Sequence, residues 1–391
     1  MIKVYMEERS SKTILLTGGT GFIGSFLGLR LLEEGYYIFF LVRKAEKDSR
    51  SRVLERLSKI SYLTARKYEN AWEIVEGDTS LPFFGIDKAK LNELKNKVNK
   101  IFHCAALLSF DPRNKDKAHK INIEGAKNAT ELALLFNVEL HYLSTAYIAG
   151  DRRGEIKEDE FDEGQSFRNV YEKTKFEAEK VVRSWGDKGG RYIIYRPSIV
   201  IGDSETGLAF SFTGYYMVAK FFWRYSKFFK RMEGKKFHFP IIIPVVKSAT
   251  LNLITVDAVV DAIYKLSQKT ESIGRTFHIV HPNPPKTSFV FKNSINVFGF
   301  SNVKIWLVPL YILRLIAWIG WALSFLFARI GYSFRQQIST YVPYFDGSSY
   351  FSYKGVGEVL GNSYLPAPID VDVIKRVLLY AKENKFSDIK N

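Results

Sequence analysis

Short apolar runs alternate with amphipathic stretches through the first two hundred residues. Thr13–Thr17 (TILLT), Tyr37–Val42 (YIFFLV), Glu73–Glu76, Lys100–Cys104 (KIFHC), Glu139–Ser144 (ELHYLS) and Tyr192–Tyr195 (YIIY) are predicted as strands from their length and their β-branched or aromatic content. Between them Phe22–Glu34, Ile121–Leu135 and Tyr171–Trp185 repeat apolar positions at helical spacing. Such repetition predicts an α/β fold, a doubly wound parallel sheet that holds its ligand at the carboxyl ends of the strands.

After Gly202 the pattern changes. Residues 210–243 are crowded with Phe, Tyr, Trp and Lys. Lys220, Arg224, Lys227 and Arg231 recur at one helical face, while Val218, Phe221, Phe222, Tyr225 and Phe229 gather on another. A basic amphipathic helix of this kind suits an anionic membrane surface or the rim of an acyl tunnel, or is an ordinary surface helix with a core face. The α/β spacing returns at Leu251–Thr255, Asp257–Ser267 and Arg275–Val280. Ile305–Ala328 is then a long apolar run whose only charge is Arg314. Its length would just cross a bilayer of about 30 Å. Pro309, Arg314 and Gly320 interrupt it, so a segment lying on a membrane or binding an acyl chain is favoured over a spanning or a core helix. These shifts divide the chain into a cofactor domain at 10–205, an aromatic and basic substrate-side insertion at 206–250, a return to the first domain at 251–285, and a hydrophobic C-terminal extension at 286–391.

The balance of 46% hydrophobic and 25% charged residues excludes a disordered chain. A net charge of +16 points to an anionic partner, whether cofactor phosphates, a phosphorylated carrier, a lipid surface or nucleic acid, with simple solubility as the alternative. No nucleic-acid motif accompanies the charge, so that last class is not expected. The single cysteine, Cys104, excludes an intrachain disulfide, and no Cys/His spacing suggests a metal. The N-terminus lacks a signal-peptide pattern, and the chain reads as cytoplasmic, with peripheral membrane contact the second expectation.

The sequence Thr17–Gly24 (TGGTGFIG) places Gly18, Gly21 and Gly24 between a strand and a helix. That context gives the motif its meaning: a tight turn, close approach of backbone to a pyrophosphate, and close helix–strand packing of a Rossmann sheet. Thr20, Phe22 and Ile23 belong to the same loop. The second strand ends in Val42-Arg43-Lys44, with no acid for a ribose hydroxyl pair, and Arg43 can pair with a 2′-phosphate, so NADPH is preferred over NAD. Asp78 and Thr79 follow the third strand on the adenine side, and Ala105 and Ala106 let the backbone after the fourth lie against the cofactor. Cys104 reads as a small buried hydrophobe, and His103 as a packing residue rather than a base.

Three Tyr-x-x-x-Lys pairs occur, at Tyr171–Lys175, Tyr216–Lys220 and Tyr350–Lys354. The spacing sets both side chains on one helical face, and chance accounts for such matches in a chain this rich in Tyr and Lys. Context favours Tyr171–Lys175. It follows Ser144-Thr145-Ala146 by one β-α unit and precedes Arg196-Pro197-Ser198, whose Pro197 and Ser198 close the cofactor side. Tyr171 is the expected acid, Lys175 the ammonium that favours its ionised form and holds the nicotinamide ribose, and Thr145, with Ser144 beside it, the further hydroxyl donor. Asn122 either ties central elements together or orders a water.

These motifs together, with LVR at 41–43, HCAA at 103–106, INIEGAKN at 121–128, LSTAYIAG at 143–150, YEKTK at 171–175 and YRPSIVIGD at 195–203, resemble those of the extended short-chain dehydrogenase/reductases. The closest branch is that of fatty acyl-CoA and thioester reductases, also called the male-sterility-type NAD-binding family. The resemblance implies Thr145, Tyr171 and Lys175 as a catalytic triad, NADPH as donor, and reduction of an acyl thioester, on coenzyme A or an acyl carrier protein, to the aldehyde or onward to the alcohol. Two alternatives stand beside it: an extended reductase acting on a sterol or a nucleotide sugar, and a non-catalytic NADP-binding protein at a membrane.

Overall fold

A computed structural model describes residues 12–232, 241–300, 303–323 and 344–388. Seven parallel strands form the central sheet: β1 (Thr13–Thr17), β2 (Tyr37–Val42), β3 (Trp72–Glu76), β4 (Lys100–His103), β5 (Glu139–Leu143), β7 (Tyr192–Pro197) and β11 (Thr276–Ile279). Their spatial order is β11-β7-β5-β4-β1-β2-β3. The chain therefore grows outward from β1 to β3 and then restarts on the other side of β1 with β4. A crevice opens at such a switch between β1 and β4, at the carboxyl edge of the sheet.

Alternate strand residues feed two cores. Ile14, Leu16, Ile38 and Phe40 pack on one face with Leu27 and Leu31 of α1 (Phe22–Glu33) and Val53 and Leu57 of α2 (Ser49–Ile60). Leu15, Phe39 and Leu41 pack on the other with Leu94 of α3 (Lys88–Lys97), Ala129 and Leu132 of α4 (Gly125–Phe136), and Ala178 and Val182 of α5 (Val170–Gly186). Burial on both faces explains why these strands read as unbroken apolar runs. The wall after β7 and the helix α7 (Val256–Ser267) complete the first core.

The substrate side is built from distant pieces. α6 (Tyr215–Met232) buries Tyr215, Tyr216 and Ala219 against Val373, Ile374 and Val377 of α10 (Val371–Glu383), near α8 (Thr287–Val297). Three small parallel pairs join it: β8 (Ile199–Ile201) with β10 (Leu253–Thr255), β9 (Ile241–Val246) with β12 (Val303–Val308), and β6 (Gly154–Ile156) with β13 (Ser349–Phe351). The basic stripe expected on α6 is not wholly free: Lys220 donates to the Phe386 carbonyl at 2.8 Å, while Arg224 is exposed. The side chains of Tyr225, Lys227, Phe229 and Arg231 lie outside the described residues.

The apolar run from Ile305 is not one helix. It enters as strand β12, and after Pro309 becomes α9 (Leu310–Leu323), 14 residues long. Proline holds the residue before it in extended backbone, which separates the two elements. At 1.5 Å per residue α9 reaches about 21 Å, short of a bilayer core of about 30 Å. Among the described residues no helix is long and apolar enough to cross a membrane. Residues 324–328 of that run lie outside the described residues.

Candidate active site

β1 ends at Thr17, and Gly18 turns the chain with φ of 72°, a left-handed conformation that favours glycine. A Cβ there would fall 2.6 Å from the Ala105 nitrogen, so the loops after β1 and β4 lie backbone on backbone. A Cβ on Gly24 would fall 2.2 Å from the Gly18 carbonyl oxygen, which holds α1 hard against the loop. Gly21 precedes the first turn of α1, where no side chain caps the helix and no acid is present. Free N–H groups at a positive helix end, over a cradle with no side chains, fit a nucleotide pyrophosphate.

On the side expected to take adenine, β2 and β3 finish together, Val42 opposite Glu76. Arg43 is exposed there, and its carbonyl accepts from Arg52 Nη1 at 2.8 Å, which brings a second guanidinium to the same edge. Asp78 Oδ1 accepts from the Ser80 nitrogen at 2.9 Å and the Ser80 hydroxyl at 2.8 Å. Thr79 is buried, its carbonyl held by Asn128 Nδ2 at 2.9 Å. These residues stand off the central cavity, at the ends of their strands.

That cavity, about 320 Å³, is lined by Gly18, Gly21, Phe22, Ile23, Gly24 and Ala106 on one side. Ser144, Thr145, Tyr171, Lys175, Pro197 and Ser198 line the other. Lys175 is buried, and its Nζ donates to the Tyr142 hydroxyl at 2.8 Å and to the Leu143 carbonyl at 2.6 Å. Burial lowers the Lys175 amine to about 7, although Glu179 one turn along α5 acts to raise it. Burial also pushes the Tyr171 phenol up to about 12, opposed by the neighbouring Thr145 hydroxyl. The lysine beside it is expected to favour the ionised phenol, but desolvation is the larger influence in this pocket and favours the protonated form. Thr145 Oγ1 donates to the Pro197 carbonyl at 3.4 Å and accepts from the Tyr147 nitrogen at 3.3 Å.

The Ser144 hydroxyl lies on a carboxylate, donating to Glu179 Oε2 at 2.6 Å, so it does not act beside Thr145 as a free donor. Glu179 is fully buried, and Arg196 Nη2 and Arg183 Nε donate to it at 2.7 and 2.9 Å. Burial alone would raise this carboxyl, but the two arginines and Ser144 hold it at about 2. Asn122 is structural: its amide clamps Leu107 through N–H and C=O at 2.7 and 3.1 Å and donates to Thr174 of α5 at 2.9 Å. His103 Nδ1 bonds the Thr17 hydroxyl at 3.0 Å, and burial lowers the ring to about 3. Burial likewise raises the Cys104 thiol to about 12.

The other two Tyr-x-x-x-Lys pairs are elsewhere. Tyr216 is buried, its hydroxyl accepting from the Gly202 nitrogen at 2.8 Å, and Tyr350 is exposed. Among the described residues no group of three His, Cys, Asp or Glu could hold a metal ion.

The sequence profile of the male sterility protein family, an NAD-binding family, matches residues 16–263. The chain belongs to this family. It is an extended short-chain dehydrogenase/reductase of the thioester-reductase branch, and an NAD(P)H-dependent oxidoreductase. Over 301 residues it is 26% identical to the nonribosomal peptide synthetase asaC of Aspergillus flavus, covering 74% of this chain and 28% of that one. Over 145 residues it is 34% identical to the fatty acyl-CoA reductase wat of Drosophila melanogaster, covering 35% of this chain and 28% of the other. The chain thus spans little more than a quarter of either relative's length. Among solved structures, the terminal R domain of the myxalamid PKS-NRPS biosynthetic pathway superposes with a TM-score of 0.77 at 27% identity, over 96% of this chain and 91% of that one. A thiolation-reductase di-domain from an archaeal non-ribosomal peptide synthetase shares the fold with a TM-score of 0.71 at 16% identity, over 99% and 81%.

In this member of the male sterility family the cavity is completed by further residues, of which only Tyr147 falls inside a motif. Leu108 and Phe110 enter from the loop after β4, Tyr147 from the loop after β5, and Tyr344 and Phe345 from far along the chain. Tyr344 donates to Glu172 and accepts from Asn169 Nδ2 at 2.7 Å, which ties the C-terminal region to the first turn of α5. Its ring lies 4.9 Å from Tyr147 and stacks 6.1 Å from Phe110. For Tyr344 and Phe345 the only signal in the sequence is the abundance of aromatic residues in the second half of the chain.

Proposed function

We propose that the protein reduces a long-chain acyl thioester, carried on coenzyme A or an acyl carrier protein, to the aldehyde with NADPH, and onward to the alcohol where the aldehyde is retained. The observation that carries this reading is the meeting of Thr145, Tyr171 and Lys175 with the glycine loop around one cavity whose remaining walls are largely apolar. Arg43 and Arg52, at a strand end without an acid, support a 2′-phosphate and hence NADPH. Gly18, Gly21, Gly24, Ala105 and Ala106 would hold the dinucleotide, with Asp78 and Thr79 beyond them. When bound, the nicotinamide supplies the hydride for the thioester carbon. Tyr171 donates a proton to the oxygen that becomes negative, and Thr145 donates a hydrogen bond to it. Lys175 orders the tyrosine side of the cavity and would hold the ribose. As the C–S bond breaks, the new hydroxyl loses its proton to form the aldehyde carbonyl and the departing sulfur takes up a proton, so the free thiol leaves. Reduction onward to the alcohol consumes a second NADPH.

Contact with an anionic lipid surface belongs to the same reading. Tyr311, Leu315 and Trp318 recur on one face of α9, 70, 50 and 62% exposed.

NADPH oxidation with palmitoyl-CoA, beside NADH and a UDP-sugar, tests the reaction. The expected result is thioester-dependent oxidation that prefers NADPH; none across a range of acyl lengths would sink the proposal. Tyr171→Phe should lower kcat by about 10²- to 10⁴-fold with NADPH binding retained, and unchanged turnover would remove Tyr171 as the acid.

A further inference from the structure

The catalytic cavity is not the largest concavity of the protein. A groove of about 950 Å³ runs along the outer side of α4 and α5, the helices that leave the carboxyl edge of the sheet on either side of β5. Its floor is apolar, with Ile123, Val181 and Trp185 half-buried in it. Its rim is basic. Lys115, Lys127, Lys173 and Lys188 are exposed, and among the described residues their side-chain amines make no ion pair or hydrogen bond. Two acids, Glu131 and Glu177, also line it, fewer than the lysines.

The groove leads to the chemistry. Phe110 walls both the groove and the catalytic cavity, and its ring centroid lies 6.2 Å from that of Tyr171. Asn169 and Val170, at the same end, begin the helix that carries Tyr171 and Lys175. An apolar floor within a charged rim is the composition of a protein-docking surface, and a long groove between parallel helices accepts a helix. Lysines without internal partners select the sign of that helix. A second copy of this chain is disfavoured, because a two-fold axis would set the same lysines against one another.

We infer that this groove docks an acidic carrier protein, an acidic helix lying along α4 and α5 while the thiol-bearing arm passes Phe110 into the catalytic cavity. The inference rests on the thioester reading above and names the partner that delivers the acyl group. Docking then fixes where the arm enters, and the small thioester of coenzyme A reaches the cavity without it.

The test compares two substrates in one protein. A purified acyl carrier protein, palmitoylated on its phosphopantetheine thiol, and palmitoyl-CoA are each assayed with the full chain and with a Lys127→Glu, Lys173→Glu, Lys188→Glu variant. The variant should raise KM for the carrier by about tenfold or more, and leave both parameters for palmitoyl-CoA unchanged. Carrier affinity of the unaltered chain, measured separately by calorimetry, should fall with added salt and fall again in the variant. An equal loss on both substrates, no change on either, or no carrier binding to the unaltered chain would overturn the docking site. So would a dimer of the unaltered chain that the three substitutions dissociate. Should neither thioester be reduced, the reaction proposed above fails, while calorimetry with the carrier still decides the groove.

Discussion

Two buried charges set the behaviour of individual residues. The Lys175 amine sits at about 7 in the folded protein against an ordinary 10.5. Where the ammonium is the working form, kcat/KM falls as pH rises through about 7. A bound dinucleotide brings negative charge near the amine, so the same limb in kcat should lie at higher pH, and coincident limbs would remove Lys175 from the profile. The unfolded chain binds the extra proton between pH 7 and 10.5, so this residue's share of stability grows with pH over that window. Glu179 is the opposite case: its carboxyl lies at about 2 against an ordinary 4.5. Its stabilisation is present above pH 4.5 and is lost as pH falls towards 2. Glu179→Gln leaves Arg196 buried without its anion and should cost about 3–5 kcal/mol in denaturant unfolding. A loss below about 1 kcal/mol would mean that the arginine finds other partners.

At the scale of elements, the glycine loop makes the firmest demand. Gly24→Ala pushes a methyl group 2.2 Å from the Gly18 carbonyl, so α1 must shift from β1 and the phosphate cradle with it. NADPH affinity, followed by fluorescence titration, should fall at least about tenfold, and an unaltered affinity would show that the loop tolerates the shift. This loop and its strands were legible in the sequence, because burial on both sheet faces leaves continuous apolar runs such as Ile14, Leu15 and Leu16. α2 and α3 were not. α2 does repeat Val53, Leu54, Leu57 and Ile60 at helical spacing, but within a stretch dominated by charged and polar residues, while α3 offers only Leu91 and Leu94. The run from Ile305 misled in the other direction, since hydrophobicity alone does not tell a strand followed by a helix from one long helix. Ser144 and Thr145 are adjacent hydroxyls in the sequence. Glu179 alone separates them, and it comes from a helix 35 residues on. Tyr344, 172 residues beyond the Glu172 that it bonds, had no local signal.

The whole molecule carries a net charge of +16, and α9 holds Tyr311, Leu315, Trp318 and Ile319 to solvent on one face. The chain should co-sediment with anionic vesicles at low salt and hold less firmly at high salt. Equal recovery with neutral and anionic vesicles would remove the electrostatic part of that attachment. The strand order, β11-β7-β5-β4-β1-β2-β3, has a consequence for how the chain comes into being. Synthesis delivers β1, β2 and β3 first, and these make one flank of the sheet with its helices. The remaining edge of β1 then waits for β4, whose first residue is Lys100. Through that interval Ile14, Leu15 and Leu16 present an apolar, unpaired margin beside a glycine-rich loop. The flank proposed to cradle the phosphates is thus also the most adhesive nascent intermediate, and a ribosome-bound chaperone would find its hold there.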